Sequence, residues 1–148
     1  TNVLDYIVDV DGVVAELRRV LRKGGRFCTI SILWDHHRFH GADPALNNRI
    51  LHVFRDHCPH QMLPLGLPKI LLNNGFAGIT STPIPILNMT MHNNAFARWT
   101  SKTIAAFVIK NGMSEDEVAL WLRQIEEADH NGNFGFVSMS VLTTGVAI

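Results

Sequence analysis

The stretch LDYIVDVDGVVAELRRVLRKGGRFCTISIL, Leu4 to Leu33, joins an amphipathic helix, a double-glycine turn and an apolar, β-rich run without a gap. Val10, Val13, Val14, Leu17, Val20 and Leu21 recur at helical spacing and predict a helix over 9–23 with that face buried. Arg18, Arg19, Arg22 and Lys23 crowd its last turns, where cations favour the negative end of the helix dipole, and Gly24 is placed to supply a left-handed C-cap. Arg26 to Leu33 (RFCTISIL) has the length and β-branched character of a strand buried in a parallel sheet. Helix, tight turn and buried strand make the second half of a βαβ unit.

Beyond Leu33 the chain changes character. Residues 34–66 begin polar and histidine-rich, then offer Asp43 as N-cap, Pro44 at the first helical position and a stripe of Leu46, Ile50, Val53 and Phe54, which together predict an insertion-like helix. Residues 67–87 predict a helix over 67–74, stopped by Asn74-Gly75, and a strand from Phe76 that Pro83 and Pro85 push toward a sheet edge. Residues 88–133 predict two more helices. The first carries Phe96, Trp99, Thr103, Ala106, Phe107 and Ile109, and the second opens with a Ser114/Glu117 capping box and turns Val118, Trp121, Leu122 and Ile125 inward. Residues 134–148 form a last strand, and the length suits one domain.

The 13 basic residues balance the 13 acidic ones, which argues against a nucleic-acid partner. The cluster from Arg18 to Arg26 reads either as a local positive patch or as a solvated helix end complementing its dipole. Cys28, in a buried-looking strand, and Cys58 make no disulfide framework and read as free thiols of a reducing, cytoplasmic compartment. No apolar run approaches the roughly 18 residues a bilayer span needs, so no membrane partner is expected.

Asp9, Glu16, Arg19-Val20-Leu21 and Gly24-Gly25-Arg26 together resemble the "D…L.E..RVL.PGGR" segment of class I S-adenosylmethionine-dependent methyltransferases. The likeness is to the small-molecule group that includes the ubiquinone and menaquinone methylases, with Lys23 where proline is usual. LPKILLNNGFAGITSTPIPIL, residues 67–87, resembles that family's late helix, its "GF" turn and the strand after it, and FVSMSVLTTGVAI resembles its last strand. The resemblance implies an α/β, Rossmann-like sheet in which this chain supplies the fifth, seventh and sixth strands, the last strand antiparallel between the other two, plus inserted acceptor-recognition or lid helices over 88–133. The family's glycine-rich loop binds cofactor through bare backbone amides at a helix N-terminus, and no strand–GxGxxG–helix unit occurs in this sequence. The expectation is therefore a C-terminal portion whose N-terminal cofactor-binding half is absent. Its partner would be that missing half or a second copy, met through the apolar edge of the strand at 27–33.

Ligands of open α/β sheets sit beyond the carboxyl ends of strands. By resemblance this assigns Thr1, Asn2, Val3 and Leu4 to S-adenosylmethionine, and Trp34 and Asp35, with Phe96 and Trp99 of the later helix, to a small hydrophobic or aromatic acceptor. Methyl transfer needs no covalent nucleophile but gains from a base, and His36 or His37 could serve; a packing role for Trp34 and a capping role for Asp35 stand beside that reading. His52, His57, Cys58 and His60 lack ligand spacing, and Asp129 to Asn133 lacks the glycine and glutamate of a calcium loop, so no metal is expected. The alternative to an enzyme is a noncatalytic methyltransferase-like module that pairs with another chain through its sheet edge.

Overall fold

A computed structural model describes residues 2–148. In chain order the elements are α1 (Val10–Val20), β1 (Arg26–Ile32), β2 (Arg38–His40), α2 (Pro44–Phe54), α3 (Leu63–Asn73), β3 (Phe76–Asn88), α4 (Phe96–Lys110), α5 (Glu115–His130) and β4 (Gly135–Ala147). They fall into two compact units. One comprises residues 2–35, Cys58–Pro85 and Met139–Ile148, and the other His36–His57 and Ile86–Ser138. The segmentation thus crosses the blocks read from sequence: the insertion helix α2 belongs with α4 and α5, while α3 belongs with α1 and β1.

In the first unit α1 begins at Asp9, whose carboxylate accepts the Gly12 N–H at 2.8 Å. It stops at Val20, short of the expected Lys23, because Leu21 turns extended and the next residues join a ladder. The Gly24 N–H donates to the Ala147 carbonyl at 2.8 Å and the Ala147 N–H to the Gly25 carbonyl at 2.9 Å, so the double glycine extends strand pairing instead of capping the helix. Gly24 does take the left-handed conformation, with φ of 79°. Val20 points to solvent, while Val10 and Val14 are buried and Leu17 and Leu21 half-buried.

β1 pairs antiparallel with β4 from Arg26 opposite Val146 to Ile32 opposite Ser140, and β3 also pairs with β4. β1 is not buried on both faces as a strand within a parallel sheet would be. Phe27 and Thr29 are buried and Arg26 and Cys28 exposed, the alternation of an antiparallel strand with one open face. Cys28 is therefore a surface thiol. α3 starts at Leu63, four residues before the expected Leu67, although Pro68 lies inside it. Leu63, Leu67 and Leu71 fall on one face and join Leu4, Val10, Val14, Phe27, Phe76 and Ala147 in a single apolar core. Burying three leucines outweighs the hydrogen bond that Pro68 cannot make.

In the second unit β2, a three-residue strand without a sequence signal of its own, pairs antiparallel with the start of β4, Phe39 opposite Phe136. α2 starts as its sequence directs, with Asp43 accepting the Leu46 N–H at 2.8 Å. Ser114 precedes α5, yet its side chain makes no capping bond, so the capping box is not formed. α4 packs on α2 and α5 with Ala97, Ser101, Ile104, Ala105 and Val108 buried, and Phe107 lies edge-on to Phe54 of α2 at 5.6 Å between ring centroids. Small residues let helices approach closely, which leaves Trp99, Thr103 and Ala106 facing outward. Buried Asn47 completes the frame: its amide donates to the Phe39 carbonyl at 3.1 Å and accepts the Trp121 indole N–H at 3.0 Å, tying β2, α2 and α5 through one satisfied side chain.

Gly41, between β2 and α2, has φ of 112°, and a Cβ there would lie 2.3 Å from the Ala128 Cβ. Gly41→Ala combines a left-handed backbone with an overpacked contact and is expected to lower unfolding stability by about 3 kcal/mol. Urea denaturation monitored by tryptophan fluorescence reads this directly, and an unchanged midpoint would show that α5 yields at no cost.

Candidate functional site

Two groups of the expected site residues occur, one in each unit. In the first, the chain passes the carboxyl end of β1. The Asn2 N–H donates to the Ile30 carbonyl at 2.7 Å, which holds residues 2–4 beside that end of the strand. Asn2 takes φ of 56°, an uncommon conformation for a residue other than glycine, and its buried side-chain oxygen Oδ1 has no hydrogen-bond partner among the described residues. Val3 is exposed and Leu4 belongs to the core. Thr1 lies outside the described residues.

Asp5, which the sequence reading passed over, organises this end. It is fully buried, and its Oδ2 accepts the Ile32 N–H and the Trp34 indole N–H, each at 3.2 Å. One carboxylate oxygen thus ties the short 3-10 turn Leu4–Tyr6 to the end of β1 and to the Trp34 ring. Burial raises the Asp5 carboxyl above its ordinary range, against the opposing pull of the Ile32 N–H, the Ser31 hydroxyl, the Trp34 indole and the His60 charge. The available signal was an acidic residue inside the apolar run Val3-Leu4-Asp5-Tyr6-Ile7. Trp34 is further held by its own N–H, which donates to the Gln61 carbonyl at 2.8 Å. Nearby Cys58 is buried, and its thiol is pushed up to about 11, which makes it a poor nucleophile at neutral pH.

Trp34, Asp35 and His36 form a 3-10 turn. His36 is exposed. His37, in the second unit, is 1% exposed and lies edge-on to Phe136 at 5.4 Å and Phe96 at 6.4 Å between ring centroids. Phe96 in turn stacks on Trp99, centroids 5.7 Å apart. The structure therefore brings His37, Phe96 and Trp99 together as an aromatic ladder, with Phe136 and Phe39 continuing it inward, 4.6 Å apart. Burial pushes the His37 imidazole down to about 4, with the His57 charge acting the same way. His57 is also lowered by burial, partly offset by its contact with the Phe54 carbonyl. A neutral imidazole closed to solvent makes His37 a packing group, which leaves His36 as the accessible histidine of the pair.

Among the described residues no group of three or more His, Cys, Asp or Glu is placed to hold a metal ion, and no helix is long and apolar enough to cross a membrane. No protein-family model and no curated protein matches the sequence. Solved structures of similar fold include a phosphoethanolamine N-methyltransferase 2 of Haemonchus contortus, in complex with phosphomonomethylethanolamine and S-adenosylhomocysteine. It is 14% identical at a TM-score of 0.46, the match covering 99% of this chain and 32% of that one. Another is a candidate methyltransferase of Bacillus halodurans C-125, 13% identical at a TM-score of 0.47, covering 98% of this chain and 61% of that one. The chain thus spans less than two thirds of either protein.

The unfolded chain protonates a histidine below about pH 6.5, whereas folded His37 does so only near pH 4. Between these values the unfolded state takes up more protons, so stability present at neutral pH is lost as pH falls from 6.5 to 4, by on the order of 3 kcal/mol in all. His57 adds a loss of the same sign. Urea midpoints measured across that window should fall, and His37→Phe should flatten the fall; an identical slope in the variant would contradict the assignment.

Proposed function

We propose that this chain is part of an S-adenosylmethionine-dependent methyltransferase acting on a small, hydrophobic or aromatic acceptor, and that it works in a reducing, cytoplasmic compartment. The observation that carries the reading is the α1–Gly24-Gly25–β1 unit with β4 antiparallel beside β1. It bears the Asp9, Glu16, Arg19-Val20-Leu21 and Gly24-Gly25-Arg26 pattern, and Asn2 and Trp34 stand at the strand's carboxyl end, where ligands of open α/β sheets sit.

The residues present fit such a cofactor at one point. The buried Oδ1 of Asn2, on a backbone held at φ of 56°, is an acceptor prepared for a donor that the described residues do not supply. Thr1, Asn2, Val3 and Leu4 would hold the cofactor, which when bound supplies an electrophilic methyl group. The remaining work falls on the chain's own side chains. Trp34, fixed by Asp5, excludes water; Asp35 borders the acceptor; His36 accepts the proton released by an acceptor oxygen or nitrogen. Phe96 serves acceptor recognition, with the exposed Trp99 ring stacked on its outer side. With no strand–GxGxxG–helix unit in the sequence, the reading assigns the glycine-rich loop to another segment or a partner chain, and the isolated 148-residue chain is expected to be inactive.

In an active parent or reconstituted enzyme, Asn2→Ala should weaken S-adenosylhomocysteine binding about tenfold in calorimetry, the loss of one buried hydrogen bond. His36→Ala should remove the acidic limb of the kcat profile against pH. An active enzyme whose affinity ignores Asn2 and whose profile ignores His36 would remove both roles, and a reconstituted enzyme that binds no S-adenosylhomocysteine would end the methyltransferase reading.

A second reading, the noncatalytic pairing module, is favoured by the free edge of β1. Among the described residues β4 is its only strand partner, and its carboxyl end is covered by Asn2 and by the Asp5 carboxylate. An edge of this kind accepts a strand from another chain, a second copy included. Analytical ultracentrifugation should then show concentration-dependent association that Cys28→Pro abolishes; a monomer at every concentration would dismiss self-pairing.

A further inference from the structure

Residues 57–114 carry Lys69, Arg98, Lys102 and Lys110 but no Asp or Glu, so every carboxylate side chain of this electrically balanced chain lies outside that stretch. The balance of 13 against 13 conceals a strong segregation of charge. The stretch ends, within the second unit, on α4 and the segment leading into it. The Ala97 N–H donates to Asn88 Oδ1 at 2.9 Å, and Arg98 Nε donates to the Met91 carbonyl at 2.7 Å, which hold residues 88–91 against the first turn of the helix. At this end Leu87, Met89 and Trp99 are 66%, 62% and 62% exposed. Three large apolar side chains left in water around one helix end mark an interaction surface.

The outward face of α4 continues from Trp99 through Lys102, Thr103, Ala106 and Ile109 to Lys110, all exposed, while the opposite face is committed to α2 and α5. Trp99 is backed by Phe96, so its ring is presented on a firm base. Asp129, a carboxylate that reaches this end of the helix, is engaged through its Oδ1 by the Met91 N–H.

We propose that the outward face of α4, with the segment leading into it, docks peripherally on an anionic lipid surface, Leu87, Met89 and Trp99 entering the boundary between headgroups and acyl chains at its N-terminal end and Arg98, Lys102 and Lys110 facing the headgroups along it. The three cations of α4, a helix without a carboxylate of its own, select an anionic partner. The exposed apolar side chains select a bilayer over a soluble polyanion, which would leave them in water. Since no described helix can span a bilayer, the contact is interfacial.

Flotation of the full chain with phosphatidylcholine vesicles, with and without phosphatidylglycerol, tests this. Co-flotation is expected only with phosphatidylglycerol, accompanied by a blue shift of tryptophan emission, and it should be lost at high salt. Trp99→Ser should lower the partition coefficient at least about fivefold, and Lys102→Ala about fivefold. Both side chains are exposed, so far-UV circular dichroism should stay unchanged in the variants. Absence of flotation with phosphatidylglycerol would overturn the proposal. So would salt-sensitive binding that polyglutamate competes away, that shows no blue shift and that ignores Trp99→Ser, because it would point to an acidic protein partner.

Discussion

The antiparallel ladder between β1 and β4 is the constraint on which the first unit depends. It runs from the Gly24-Gly25 turn, bonded to Ala147, through Arg26 opposite Val146 to Ile32 opposite Ser140. Because the turn must meet Ala147, α1 cannot continue to Lys23. Because β1 pairs in this register, Phe27 turns into the core beside Leu67, Leu71 and Phe76, and Ser31 is buried near Asp5. A slip of one residue would turn Phe27 outward and bury Arg26 and Cys28, so register and core specify each other.

A polar counterpart works within each unit. Asp5 and Asn47 are buried side chains that each bind a backbone group and an indole: Ile32 and Trp34 for the first, Phe39 and Trp121 for the second. Each fixes a tryptophan by its one polar atom, a geometry that apolar packing alone leaves loose. The difference lies in charge. Asn47 is neutral and satisfied on both sides, whereas Asp5 carries the desolvation that raises its carboxyl. A buried acid is a costly way to hold a ring unless its position also matters to what binds there.

Elements with strong local signals were legible in the sequence. Asp43 and Pro44 placed the start of α2 to the residue, and Val118, Trp121 and Ile125 marked the inner face of α5. What failed did so where tertiary pairing overrides local preference. The helix expected from Leu67 begins at Leu63, because Leu63 stands at helical spacing from Leu67 and Leu71 and joins the same core. β2 is too short to show a period, and it exists because β4 offers an edge to it. On α4 the aromatic residues divide: Phe107 packs on Phe54 of α2 alongside buried alanines and Ser101, while Trp99 faces solvent. Asn2 and Trp34 were singled out in the sequence only by their position at the ends of strands, and the 3-10 turn at Trp34 had no local signal. Asp5 was missed because its role arises only when residues far apart in sequence meet at the end of β1.

The two faces of α4 show what periodicity leaves open. Hydrophobic periodicity locates a helix, but it does not say which of two stripes is inside when one consists of small residues and the other of large ones. Packing density decides: Ala97, Ser101 and Ala105 allow α2 and α5 to come close, and an inward Trp99 would hold them apart. Trp99 is then left outside at a cost in solvation, while Phe96 and Phe107 turn onto Phe136 and Phe54, on a helix with three cations and no carboxylate. Since the core gains nothing from Trp99 in that position, the reason for an exposed tryptophan there has to be sought in what the outer face meets.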